Sequence, residues 1–284
     1  MLVINTIKEI VDIVNTKRAQ NLSIGLVPTM GALHEGHTSL VERCIKENDI
    51  TIVSIFVNPT QFNDKNDLNN YPRTLEADTQ LLERKGVDYV FAPTVNEIYP
   101  EPDTRIFSYP PIDTVMEGAK RPGHFNGVCQ IVSKLFDITK PHRAYFGEKD
   151  FQQIAVVTAM TEDLRIPVKL CTCPIVREDN GLALSSRNTL LSAKEKAIAP
   201  TIYKVLQESL PMSQKSSVED TINFVVTSIN KVEGLDVEYF QIVDGKSLQP
   251  IKDWSDSHYI VGCITVYCGS RPVRLIDNIT YKKD

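Results

Sequence analysis

Hydrophobic and polar positions in the first two-thirds of the chain follow two alternating rhythms. Short runs rich in β-branched and aromatic residues read as strands: Ser23–Val27, Ile50–Val57, Val87–Phe91, Arg143–Phe146 and Val168–Val176. Between them, Thr38–Asn48, Leu75–Lys85, Val128–Thr139 and Phe151–Leu164 place apolar residues at helical spacing. The run Ile52-Val53-Ser54-Ile55-Phe56-Val57 has no polar alternation, as expected of a strand covered on both faces. Strands alternating with helices of this length predict βαβ units and a parallel sheet. The first 18 residues, with acidic positions inside an apolar repeat, read as an amphipathic helix.

The rhythm changes near Arg187. Two polar helices are expected, Ser192–Leu210 and Val218–Val232, followed by β-rich runs at Asp236–Val243, Tyr259–Tyr267 and Val273–Ile276. Their alternation predicts a small antiparallel sheet open on one face. The domain boundary is expected between Val176 and Asn188, giving domains 1–176 and 177–284. The stretch from Pro93 to Gly123, rich in Pro, Asp and Tyr, is too long for a simple connection and reads as a binding segment or lid.

Composition narrows the function classes. The 284 residues carry a net charge of −5, without the basic stripe of a general nucleic-acid binder. No apolar stretch approaches the ~18 residues that a membrane span needs, and the N-terminus has no small-residue cleavage site, so the expectation is a cytoplasmic protein. The six cysteines lack C-x-x-C spacing and read as small buried residues; Cys171 and Cys173 share one face of a strand without a visible ligand cluster.

The candidate chemistry gathers at the carboxyl ends of predicted strands, where ligands of parallel sheets bind. After Val27 comes Pro28-Thr29-Met30-Gly31-Ala32-Leu33-His34-Glu35-Gly36-His37, with two imidazoles three residues apart at a helix start. Glycines allow close backbone approach, the helix start offers N–H groups, and each histidine can donate to an oxyanion. After Phe56 comes Val57-Asn58-Pro59-Thr60-Gln61-Phe62, where the amides of Asn58 and Gln61 suit hydroxyls or a carboxylate. After Phe146 comes Gly147-Glu148-Lys149-Asp150, with Gln153 further into a helix; Lys149 can neutralise phosphate. After Val176, a polar loop ends in Leu184-Ser185-Ser186-Arg187-Asn188, whose hydroxyls and guanidinium suit phosphate. Tyr71-Pro72-Arg73-Thr74 and Arg121-Pro122-Gly123-His124 add two cationic turns; Asp78 is a candidate Mg²⁺ ligand, and His124 reads as structural. Taken singly, each segment also fits an ordinary cap or solvated turn. Together they supply cations, hydroxyls and amides without a G-x-S-x-G elbow or a P-loop lysine motif, which favours displacement chemistry at a nucleotide over hydrolysis.

Five of these segments, Pro28–His37, Phe56–Phe62, Tyr71–Thr74, Phe146–Asp150 and Ser185–Asn188, taken in chain order, resemble the pantothenate synthetases (pantoate–β-alanine ligases) of the class I aminoacyl-tRNA-synthetase-like nucleotidyltransferase superfamily. The His-x-Gly-His turn alone is shared with many nucleotidyltransferases; five ordered motifs are far more specific. The resemblance implies a Rossmann-type parallel sheet with helices on both faces, a small α+β C-terminal domain acting as a lid, and a homodimer. It implies ATP with Mg²⁺ as cofactors, pantoate and β-alanine as substrates, and a pantoyl adenylate intermediate. It assigns catalysis to His37 as proton donor, with His34 and Lys149. It assigns ATP binding to Met30, Gly31, His34, His37, Gly147, Glu148, Lys149, Asp150, Val176, Leu184, Ser185, Ser186 and Arg187. Gln61, Asn58 and Gln153 would hold pantoate and β-alanine, and Asp78 the metal. Leu184 stands where many members carry Met, a change of similar volume. The run Ile50–Phe56 and the long loop are candidate dimer surfaces. Read without the resemblance, the residues leave open a different His-x-Gly-His nucleotidylyltransferase and a non-catalytic nucleotide sensor; a tRNA-binding module is disfavoured by the acidic balance.

Overall fold

The computed structural model describes every residue from Met1 to Asp284. The elements run in chain order as β1 (Leu2–Ile4), α1 (Ile7–Ala19), β2 (Ile24–Thr29), α2 (Glu35–Glu47), β3 (Ile50–Ile55), α3 (Lys65–Asn70), α4 (Leu75–Lys85), β4 (Tyr89–Phe91), α5 (Val95–Ile98), α6 (Met116–Lys120), α7 (His124–Thr139), β5 (Arg143–Gly147), α8 (Phe151–Asp163) and β6 (Lys169–Cys173). They continue as α9 (Ala193–Ile198), α10 (Thr201–Ser209), α11 (Val218–Asn230), β7 (Leu235–Asp244), β8 (Tyr259–Cys268) and β9 (Val273–Lys283).

The chain divides into two compact units. The first comprises Met1–Tyr109, Arg121–Glu148 and Gln153–Pro174; the second comprises Pro110–Lys120, Lys149–Gln152 and Ile175–Asp284. The division therefore falls at Pro174/Ile175, and two short segments of the earlier chain belong to the second unit.

In the first unit six strands form a parallel sheet in the order β1-β4-β3-β2-β5-β6. Val27, Val53, Val90 and Tyr145 share a core with Leu40, Val41 and Cys44 of α2 and Leu82 of α4. Leu26 and Ile52 alternate to the other face, where α7 packs on β2 and α1 on α7. The two-sided burial explains the continuous apolar run of β3. It also removes Ile50–Phe56 as a dimer surface: β3 is an inner strand, hydrogen-bonded on both sides to β2 and β4, with Ile52 and Val53 fully buried.

The N-terminus corrects the sequence reading. Leu2–Ile4 forms a sixth strand beside β4, and the helix starts only after the Thr6 hydroxyl caps Glu9 N–H. The strand order reverses between β2 and β5, so the carboxyl ends of these two strands border the switch point at which such sheets bind ligands.

In the second unit β7, β8 and β9 form an antiparallel sheet covered by α10 and α11. Phe240, Ile242, Ile264 and Leu275 pack against Val205, Leu206, Val225 and Ile229. The expected single helix Ser192–Leu210 is two helices, because Pro200 interrupts it.

Candidate active site

In the first unit, β2 ends at Thr29 and the chain turns through Gly31 (φ +81°) and Ala32 (φ +49°). Gly31 adopts this left-handed geometry readily, whereas Ala32 is strained there. Asp78, from the first turn of α4 and only 3% exposed, holds the turn. Its Oδ2 accepts Ala32 N–H at 2.9 Å and the Thr74 hydroxyl at 3.1 Å, and its Oδ1 accepts Leu33 N–H at 2.8 Å. The expectation that Asp78 holds Mg²⁺ gives way to a structural task, since main-chain donors engage both of its oxygens. No group of three His, Cys, Asp or Glu side chains assembles as a metal cage elsewhere.

The clamped turn delivers His34 to the N-cap of α2 and His37 to its first turn. His34 Nδ1 accepts Gly36 N–H at 3.1 Å, and His37 Nδ1 accepts His34 N–H at 3.3 Å, a reciprocal capping box. The two rings stand 4.1 Å apart between centroids. Because both Nδ1 atoms accept, the neutral rings carry their protons on Nε2, the nitrogen pointing away from the main chain.

Beyond β3, the 3₁₀ turn Pro59–Gln61 lies against α7 at Gly127, where any Cβ would collide with the Thr60 carbonyl. Asn58 is 1% exposed, donating to Gln61 Oε1 at 3.1 Å and the Gly127 carbonyl at 3.0 Å, while Oδ1 accepts the Tyr99 hydroxyl at 2.9 Å. The amide of Asn58 therefore orients Gln61. Gln61 donates to Met30 Sδ at 3.2 Å, joining two of the expected site residues. His124, as expected, is structural: its Nδ1 lies 2.9 Å from the Gln61 carbonyl. Gly147 and Glu148 leave β5 at the switch point, and Gln153 sits half-buried in the first turn of α8.

The second unit builds its own cluster. Val176 to Leu184 form a hairpin: Leu184 N–H donates to the Val176 carbonyl at 3.0 Å, Arg177 bridges Ala183, and Gly181 (φ +95°) turns the chain. The Ser185 hydroxyl caps the following turn, Ser186–Leu190, through Arg187 N–H at 3.3 Å. Lys149 Nζ is 3.5 Å from the Leu184 carbonyl and 3.9 Å from Asp150 Oδ2. Lys149, Asp150, Val176 and Leu184–Arg187 are thus brought together, a cluster that holds two cations and two hydroxyls, with Ser186 buried.

Sequence reasoning missed the residues beneath this cluster. Asp277 and Asn278 of β9 reach Arg177 and Lys149 from about 100 residues or more away in the chain. Glu117 is buried against Arg274, Tyr239 and Thr265, and Gln152 donates to the Ile112 and Val115 carbonyls at 2.8 Å. Glu117, Asp277 and Asn278 sit in no local motif, and Gln152 stands inside the Phe146–Gln153 segment without having been singled out. The six cysteines are free and buried as expected; burial pushes the Cys44 thiol up to about 12.

A six-stranded parallel sheet with a histidine turn leaving an inner strand beside the switch point defines a Rossmann-type fold, a class that commonly binds nucleotides. The family model described as pantoate-beta-alanine ligase matches residues 2–280, and the chain belongs to that family. It is 59% identical to the pantothenate synthetase of Bacteroides fragilis across the full length of both, and 55% identical to that of Porphyromonas gingivalis over 99% of this chain and all of that one. Among solved structures, the pantothenate synthetase of Thermus thermophilus superposes with a TM-score of 0.92 at 40% identity, covering 99% of this chain and 100% of that one. The pantoate-beta-alanine ligase of Francisella tularensis, complexed with beta-gamma ATP and beta-alanine, gives 0.82 at 39%, covering 99% and 98%. Members of this family are ligases that form a C–N bond.

Proposed function

We propose that this chain condenses pantoate with β-alanine at the expense of ATP, through a pantoyl adenylate. A carboxylate oxygen of pantoate attacks the α-phosphorus; the bond to the bridging oxygen breaks and pyrophosphate leaves. The β-alanine nitrogen then attacks the acyl carbon, the acyl C–O bond breaks, AMP leaves, and the nitrogen gives up a proton. The observation that carries this reading is the histidine turn, with two Nε2–H groups held by reciprocal main-chain hydrogen bonds. Such prepositioned donors stabilise the charge that develops as pyrophosphate departs. His37 is the proton donor, His34 its neighbour, and Lys149 adds a positive charge. Ser185, Ser186 and Arg187 take phosphate oxygens, with Met30, Gly31, Glu148, Asp150 and Leu184 lining ATP. Main-chain groups at Gly147 and Val176 position the adenosine. Gln61 and Gln153 bind pantoate. ATP and β-alanine as ligands are supported by the Francisella tularensis complex.

The residues present do not form a cage for Mg²⁺. Magnesium that accompanies ATP would be held by its phosphates and water, as this ion commonly is. A homodimer in the cytoplasm completes the proposal; no helix is long and apolar enough to cross a membrane.

The test is pyrophosphate release with ATP, with and without pantoate. Release should require pantoate, and His37→Ala should lower its rate by about 10²–10³-fold, the usual cost of one such donor. Release independent of pantoate would overturn the proposal.

A further inference from the structure

We infer that Asp277 and Asn278 of β9 are positioning residues for ATP, holding both halves of the phosphate cradle. The inference rests on the reading that Lys149 and the turn Ser185–Arg187 bind ATP. β9 is the edge strand of its sheet, where polar side chains ordinarily face water. These two are instead 6% and 8% exposed, and both have specific partners.

Asn278 Nδ2 donates to the Lys149 carbonyl at 3.2 Å. It thereby fixes the main chain from which the lysine extends, at the junction between β5 and α8 where no strand or long helix fixes it otherwise. Asp277 binds Arg177 through two parallel hydrogen bonds of 2.6 and 2.8 Å, the strongest geometry for this pair. The same guanidinium donates to the Gly181 carbonyl at 3.2 Å and lies 3.5 Å above the Tyr203 ring. Arg177 is therefore locked from three sides, and with it the hairpin whose second strand runs into Ser185. Asp277 Oδ1 also accepts Asn278 N–H at 2.8 Å, which couples the two anchors. One dipeptide thus sets the spacing between the lysine and the serine–arginine turn. A solvated polar pair on an edge strand would need neither the burial nor these partners.

A positioning role affects the step that uses the cradle and spares the step that does not. Asn278→Ala should raise KM for ATP and slow pantoate-dependent pyrophosphate release about 10²-fold, the scale of a 1 Å misplacement. Aminolysis of added pantoyl adenylate by β-alanine should keep its rate. Asp277→Asn, which preserves shape and removes the charge, should show the same split more weakly. Where Asn278→Ala does not fold, Asn278→Asp gives the same readout at nearly equal volume. Equal loss in both half-reactions, unchanged ATP kinetics, or failure of both Asn278 variants to fold would each overturn the inference. Wild-type enzyme in the same assay separates the two levels: without pantoate-dependent release the functional reading fails, whereas release that survives in the variant sinks only the role of β9.

Discussion

Asp78 shows how little a residue's type says about its task. Its sequence context suits a metal ligand, but in the fold it accepts the N–H groups of Ala32 and Leu33 and steadies a strained alanine. Asp78→Asn keeps the shape and turns one acceptor into a donor facing an N–H group. An unsatisfied buried donor costs about 1–3 kcal/mol, so urea unfolding should lose stability on that scale. Turnover should fall as the histidine turn loosens, while the Mg²⁺ concentration giving half-maximal rate stays put. A large shift in that concentration would restore the metal-ligand reading. The placement of His34, His37, Gln61 and Lys149 just beyond strand ends was legible because strand ends, glycines and helix starts announce themselves locally. Asp277 and Asn278 were not, because their partners lie far off in sequence and β9 looks like any short polar strand.

At the scale of elements, period and length gave the inner strands and long helices to within a few residues. Leu2–Ile4 escaped because three residues cannot display a period, and the helix behind them absorbed the signal. The long loop after β4 was recognised by its length and its Pro-, Asp- and Tyr-rich composition, without a period to place its partners. Its part in the first unit is anchored at Asp103, whose side chain accepts from Arg105 and whose carbonyl accepts from Gln130 at 2.9 Å, with Lys134 at 3.6 Å. The Arg105 hydrogen bond holds the Asp103 carboxyl down at about 2, against an ordinary 3.8. A carboxylate depressed in the folded state stabilises fully above its unfolded value, and that share is lost as pH falls through the folded value. The loop should therefore resist acid-active protease above about pH 4 and become progressively cleavable between about 4 and 2. Asp103→Asn should be cleaved at a rate nearly independent of pH across that window.

At the scale of the whole molecule, the C-terminal part of the chain is incomplete by itself. Glu117, from the long loop, accepts Arg274 Nη2 at 2.7 Å, the Tyr239 hydroxyl at 2.7 Å and the Thr265 hydroxyl at 2.9 Å. Gln152 Oε1 accepts Glu117 N–H at 2.9 Å, tying a second early segment into the same unit. Removing one partner of a buried ion pair costs about 3–5 kcal/mol, and Glu117→Gln should lower unfolding stability on that order. A fragment comprising residues 175–284 should lack a cooperative thermal transition by calorimetry, and a sharp native-like transition would show that the early segments are dispensable. Sequence rhythm divided the chain at one point; the actual division has three segments on each side, because rhythm reports neighbours along the chain and not partners across it.

The placement of Arg274, Asp277 and Asn278 on β9 has a consequence for biosynthesis. A nascent chain leaving the ribosome presents Glu117, Lys149 and Arg177 long before β9 exists to receive them. Every sequence motif of the proposed nucleotide site can therefore be translated, intact and correctly ordered, in a polypeptide whose lysine and serine–arginine turn still lack their partners on β9. A stop codon just ahead of β9 would leave all the recognisable signatures in place and yield a protein in which they have nothing to hold them in register.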